Sequence, residues 1–212
     1  MCFSAQASFI ASSFLLFVGI LNLKINKRKD LKVLSVMPLL FSIQQFFEGI
    51  LWLTLGNEIF PLLQTFSKVT FLIFAILIWP MYVSSSLIEL EKGTIRKKVL
   101  KVIYKFSIIW TISAAIYMVI HEPTAEICKS HISYSVPLSG LLGGIATISY
   151  LILTIPPYFI TSNKKLWGFG VIISITATIA YIFYNAYFTS VWCYFAAIAS
   201  MFILVIIKEE NK

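Results

Sequence analysis

The sequence predicts an all-α polytopic membrane protein: a single transmembrane domain over residues 1–212, built as a bundle of seven helices. Three observations carry that expectation. Apolar stretches of membrane-spanning length recur from end to end, charge is scarce, and Lys and Arg crowd alternate loops. A hydrocarbon core about 30 Å thick takes roughly 20 helical residues to cross. Of the 212 residues, 59% are hydrophobic and 12% charged, against about 45–50% and 25% in soluble domains, and mean hydropathy is +0.89. A soluble helical protein is excluded, because seven such helices would have no polar face to turn toward water.

The helices are expected at residues 5–23, 33–55, 59–88, 102–120, 136–160, 166–184 and 186–207. The last two form one apolar run about twice as long as a bilayer accommodates, so a turn is placed near Asn185. Pro80, late in the third helix, and Pro156-Pro157, late in the fifth, are expected to kink or end their helices. The carbonyls they release should find donors on neighbouring helices. Ser139-Gly140 and Gly143-Gly144 place small residues four apart, a spacing that lets helix backbones approach. The five tryptophans suit interface anchoring or packing. The opening MCFSAQASF lacks the basic stretch of a cleavable signal, so the mature chain is expected to begin at or next to Cys2.

Charge sets the expected orientation. Of 17 basic residues, 15 fall in the first, third and fifth loops and the C-terminal tail; the other loops hold only Lys129, and Lys68 lies inside the third span. The positive-inside rule then puts the N-terminus outside and the C-terminus in the cytoplasm of a multi-pass cell-membrane protein. The net charge of +8 has this topological meaning, so nucleic acid is not an expected partner.

Polar groups at membrane depth are costly and therefore candidates for function. The second helix reads FSIQQFFEGILW, with Phe41, Gln45, Glu48 and Trp52 on one face and Gln44 beside them. Glu48 and Lys68 are symmetric about the hairpin near Glu58, which predicts a buried ion pair between them. All three cysteines map to the outer half: Cys2 at the start, Cys128 in the second outer loop, Cys193 inside the seventh helix. Outside the cytoplasm one pair could form a disulfide, with Cys2 and Cys193 the favoured couple. His121 and His131 flank or occupy the outer loop HEPTAEICKSHISY, together with Glu122 and Glu126. Cys128-x-x-His131 is half of a zinc pattern at most, and the loop is expected to be solvated with some packing contacts. Cys2, His131, Cys193 and Glu48 are the candidate ligands for a metal ion or the candidate redox groups.

The opening Met1-Cys2-Phe3-Ser4-Ala5 with Ala7-Ser8-Phe9, then Gln44-Gln45, Glu48-Gly49 and Trp52, Trp79-Pro80, His131-Ile132 with Tyr134, and Val191-Trp192-Cys193 with Phe195-Ala196-Ala197, resemble a bacterial family of small multi-span membrane proteins of unknown function. The resemblance covers nearly the whole chain. It implies no activity, but it singles out Cys2, Gln45, Glu48, Trp52, His131, Tyr134, Trp192 and Cys193.

These observations together lead to an outward-facing polar pocket, formed by the N-terminus and the outer halves of the second, third, fifth and seventh helices. Gln44, Gln45, Glu48, Trp52, Lys68, Tyr134 and Trp192 are its candidate lining. The expected function is a sensor or binding protein that takes a small ligand or a metal ion. One alternative is a thiol- or metal-dependent enzyme with Cys2, Cys193 and His131 as nucleophile or ligands and Glu48 as acid or base. The other is a small-solute transporter, for which paired broken helices are missing from the sequence.

Overall fold

A computed structural model describes residues 4–56, 59–138 and 140–211. Six helical stretches among them are long and apolar enough to cross a bilayer: 5–25, 29–54, 61–90, 94–120, 140–160 and 164–210. The first is α1 (Ala5–Ile25), capped by Ser4 Oγ, which accepts from Ala7 N at 3.2 Å. The second comprises a 3-10 turn (Lys29–Leu31), α2 (Lys32–Ser35) and α3 (Met37–Thr54). The third is α4 (Pro61–Leu72), a π-helical turn (Ile73–Ile78) and α5 (Trp79–Leu90). Then follow α6 (Thr94–Ile120), a hairpin of β1 (Thr124–Cys128) and β2 (His131–Ser135), α7 (Gly140–Thr154) and α8 (Pro157–Ile160). The last stretch holds α9 (Lys164–Tyr184), a 3-10 turn (Asn185–Tyr187), α10 (Phe188–Ala199) and α11 (Phe202–Glu210).

Residues 164–210 do not run straight. A continuous helix of 47 residues would be roughly 70 Å long at 1.5 Å per residue, yet Lys165 Nζ at its start lies 3.0 Å from Glu209 Oε2 at its end. The chain doubles back at Asn185–Tyr187, where the sequence places its turn.

The same ion pair marks one end of the bundle, where the basic loops converge. Arg28 reaches both Asp30 and Glu210 at 2.7 Å, and Asn163 Nδ2 donates to Glu210 Oε1 at 3.1 Å. Buried Glu91, just past α5, accepts three hydrogen bonds of 2.6 Å: Oε1 from Gly93 N and Ser162 Oγ, Oε2 from Ser162 N. Burial pushes this carboxyl up, but the bonds from Ser162 and Gly93 outweigh it and hold the group below the ordinary range.

Small residues let α1 and α3 pack closely. Ser12 Oγ donates to Ser42 O at 2.8 Å and Ser42 Oγ returns the bond to Ser12 O at 2.7 Å. A Cβ on Gly19 would stand 2.4 Å from Leu39 Cγ, so only glycine permits this approach. By contrast α6 buries only Leu100 and Ser107, and α7 only Leu153 and Thr154. These two helices stand at the periphery of a tighter core.

Pro80 explains how α6 and α7 are held there. It has no N–H to offer Ala75 O in the five-residue register or Ile76 O in the four-residue register. Trp79 N bonds to Phe74 O, five residues back, and the turn is π-helical. Tyr150 OH donates to Ala75 O at 2.6 Å, Trp110 Nε1 to Ile76 O at 3.0 Å and Thr111 Oγ1 to Leu77 O at 3.0 Å. The carbonyls released by the proline are therefore met by side chains of α6 and α7, as the sequence leads one to expect.

Three expectations are corrected. The loop at 121–135 carries a two-stranded antiparallel hairpin with Cys128 opposite His131 and Lys129 in the left-handed region at φ 59°; alternating Ile132 and Tyr134 supply the β pattern. The helix after it begins at Gly140 rather than near residue 136. Its small residues do not close a helix–helix seam. A Cβ on Gly143 would meet the Leu138 carbonyl at 2.6 Å, and Gly144 has open space beside it; Ser139 lies outside the described residues.

Candidate functional site

The polar face of α3 forms a buried cluster with α5 and α10. Glu48 is 1% exposed. Its Oε1 accepts from Ser190 Oγ at 2.5 Å and its Oε2 from Gln45 Nε2 at 3.0 Å. Gln44 Oε1 accepts from Trp79 Nε1 at 2.8 Å, and the Trp79 ring stacks on Phe41 with centroids 3.8 Å apart. Trp52 packs at the margin of this core.

Lys68 is not the partner of Glu48. Its Nζ lies 3.1 Å from Glu122 Oε1, whose side chain is 75% exposed. On α4 it is Ser67 that faces the interior, so Lys68 is turned about 100° away and extends to the exposed Glu122, as long cationic side chains do near helix ends.

The hairpin lies over the same end. His131 stands between the rings of Tyr184 and Tyr187, with centroids 5.1 and 4.9 Å away, and burial pushes its pKa down. Ser133 Oγ donates to Ala186 O at 3.1 Å. Tyr134 stacks on Phe71 at 4.6 Å with the ring planes 7° apart.

Beneath the hairpin is a cavity of about 430 Å³, within the range of small-molecule sites. Its walls come from the π turn, α6, α7, α10 and the β2 side of the hairpin, and none of the lining residues is charged. Tyr134, Trp192 and Cys193 of the expected pocket are in the wall. Gln44, Gln45, Glu48, Trp52 and Lys68 are not, and α6 contributes where no contribution is expected. The pocket thus differs from the polar one inferred from sequence: it is mainly apolar, and the ionisable face of α3 is used for internal hydrogen bonding.

Wall donors divide into two groups. Tyr150 OH and Trp110 Nε1 are spent on the π-turn carbonyls, and Tyr117 OH donates to Pro137 O at 2.8 Å. The Trp192 Nε1 and the Tyr134 hydroxyl are buried and meet no hydrogen-bond partner among the described residues.

One finding decides the family. A family model described as a family of unknown function (DUF6629) matches residues 1–212. The chain belongs to that family. No curated protein and no solved structure matches the chain.

The metal and disulfide readings both include Cys2, so as a whole they fall outside the described residues. Among the described residues no group of three or more His, Cys, Asp or Glu could hold a metal ion. Cys128 and Cys193 carry no disulfide to each other, and Cys2 lies outside the described residues. His131 packs among aromatic rings, while Cys193 sits in a small apolar cluster with Phe71, Leu72 and Ala75. Residues that sequence reasoning missed are Ser190, Trp110, Thr111 and Tyr150. The signal for Trp110 and Tyr150 is Pro80, which demands side-chain donors for the Ile76 and Ala75 carbonyls behind it; nothing in the sequence marks Ser190 or Thr111.

Proposed function

We propose that this family member is a seven-span membrane protein with the N-terminus outside and the C-terminus in the cytoplasm, and that it binds a small molecule in the cavity beneath its outer hairpin, as a sensor or binding protein. The doubling back of residues 164–210 supports the seventh crossing, and the gathering of the basic loops at one end supports the orientation. The observation that carries the binding reading is a mainly apolar cavity of about 430 Å³ with no charged lining residue, walled by the aromatic side chains of Trp110, Tyr117, Tyr134, Tyr150, Phe188 and Trp192.

Purification in lipid nanodiscs without detergent, followed by solvent extraction and mass spectrometry, tests the reading. A small molecule should accompany the protein in near-stoichiometric amount and be lost from Ala146→Phe, which fills the cavity. Its absence from the native protein, or its equal retention by the filled variant, refutes ligand binding. Reporters fused after Cys128 and at the C-terminus should be active outside and inside respectively; the reverse refutes the orientation.

A further inference from the structure

Beyond the cavity, we infer a second site on the outside of the bundle: a stripe along α6 that holds an anionic phospholipid, its phosphate on Lys98, Lys101 and Lys105 and its acyl chains along the isoleucines that follow. The site requires only that α6 cross the bilayer, not that the cavity take a ligand or that either terminus face a given side.

Helical spacing draws the stripe. Lys98, Lys101 and Lys105 are three and four residues apart, so they share one face, and all three are exposed. The same steps of three and four lead on to Ile109, Ile112, Ile116 and Val119, which are exposed as well. At 100° per residue the lysines and these apolar side chains fall within one arc of roughly 80°. Leu100 and Ser107, the residues that α6 buries, lie roughly 150° from the centre of that arc. The stripe therefore runs along the back of a peripheral helix.

Elsewhere at this end of the bundle charge is answered within the chain. Arg28 is held by Asp30 and Glu210, and Lys165 by Glu209 and Glu210. Glu91 is taken up by Gly93 and Ser162, and Arg96, off the stripe, donates to Ser162 Oγ at 2.8 Å. Among the described residues, Lys98, Lys101 and Lys105 have no carboxylate within ion-pair distance. Their ammonium groups are left for an anion from outside the chain.

The level of the lysines matches a headgroup. With 27 residues, α6 is roughly 40 Å long at 1.5 Å per residue, about 10 Å more than the hydrocarbon core. From Phe106 to Ile120 it carries no charge, so the surplus falls at the lysine end. Lys105 reaches the same level along its stem, as lysines near a membrane boundary do. From Lys105 to Ile116 the helix rises roughly 16 Å, about the depth of one leaflet of the core. The occupant must carry negative charge at one end and hydrocarbon along the rest. A soluble polyanion would meet the lysines and leave the isoleucines unused, and a second copy in the same membrane would set lysine against lysine. An anionic phospholipid satisfies both halves.

The test uses the full chain in nanodiscs of equal parts dioleoylphosphatidylglycerol and dioleoylphosphatidylcholine, with native mass spectrometry of the lipids retained after release. The native chain should retain phosphatidylglycerol over phosphatidylcholine by at least about fivefold, one lysine's worth at a charged surface. The ratio should fall toward unity as ammonium acetate is raised to about 1 M. Lys98→Gln/Lys101→Gln/Lys105→Gln should abolish the preference. Lys27→Gln/Lys29→Gln/Lys32→Gln, which removes as much charge from the same end, should leave it intact. Excess glycerol phosphate, a head without chains, should not displace the lipid. No preference in the native chain overturns the inference, and so does equal loss in the two triple variants, which would mean a diffuse basic surface. Displacement by glycerol phosphate overturns the role of the isoleucines, and crosslinking of Ile112→Cys between chains without retained lipid gives the face to a second copy. If the α6 triple variant does not fold, Lys101→Gln and the salt series on the native chain decide.

Discussion

Replacing Glu91 by Gln isolates what one negative charge does at the end of α5. The carboxylate accepts from Gly93 N, Ser162 Oγ and Ser162 N, all at 2.6 Å, and is 2% exposed. Gln preserves shape but has one acceptor. If its oxygen takes the Oε1 position, its amide NH2 opposes Ser162 N–H; if it is flipped, the NH2 opposes Gly93 N–H. Either way one backbone donor loses a bond to a charged acceptor, worth about 1.5–3 kcal/mol. In a chain of this size that lowers Tm by roughly 3–12 °C. The pH dependence has a definite sign. Hydrogen bonds depress the folded carboxyl below its ordinary value, so its contribution is full above about pH 4.3, the value in an unfolded chain, and is lost as pH falls through the lower folded value. Thermal unfolding of the native chain and Glu91→Gln from pH 8 to pH 3 should give curves separated by a constant gap down to about pH 5 that closes below it. Equal midpoints at neutral pH, or parallel curves throughout, would refute the role of the charge.

Pro80→Ala restores an N–H to the π turn, so Trp110→Phe should cost about 1–2 kcal/mol in the native background and measurably less in Pro80→Ala; additivity in a double-mutant cycle would show that the proline does not create the need for the indole. Glu48→Ala should destabilise by about 2–4 kcal/mol by stranding Ser190 and Gln45, whereas Glu48→Gln, which still accepts from Ser190, should cost less than half of that; equal costs would count against the Ser190 bond. Because burial depresses the His131 pKa, an unfolded hairpin takes up a proton more readily than the packed one. The hairpin should thus lose stability as pH falls below about 6.5. Amide exchange over residues 124–135 should be faster at pH 5.5 than at pH 8 after correction for intrinsic rates, and an unchanged corrected rate would refute it.

Which parts of the molecule were legible follows from what a one-dimensional pattern encodes. Apolar length and basic loops depend on composition along the chain alone, so the helical stretches and the turn at Asn185–Tyr187 were readable, as was the demand that Pro80 makes on its neighbours. Azimuth was not readable: the expected pairing of Glu48 with Lys68 fails because which face of α4 turns inward depends on packing, and Ser67 takes it. The hairpin escaped because five-residue strands resemble any polar loop with scattered Ile and Tyr. The cavity escaped for a different reason: it lies among the π turn, α6, α7, α10 and the hairpin, and a space between elements has no residue of its own to announce it.

The fold-back of residues 164–210 bears on how the chain enters a membrane in the first place. Between Lys165 and Lys208 the sequence carries no Asp, Glu, Lys or Arg, so nothing inside the run marks where transfer should stop or reverse. Neither α9 nor α10 with α11 can be oriented by its own flanks at the distal turn. On the seven-span reading proposed above, the distal turn carries no charge to hold it on either side, and the orientation of this pair rests on Lys164 and Lys165 before it and Lys208 after it. The Lys165–Glu209 and Lys165–Glu210 ion pairs fasten the two ends of the run to each other, so a stretch with no charge along its length is closed by charge at its base.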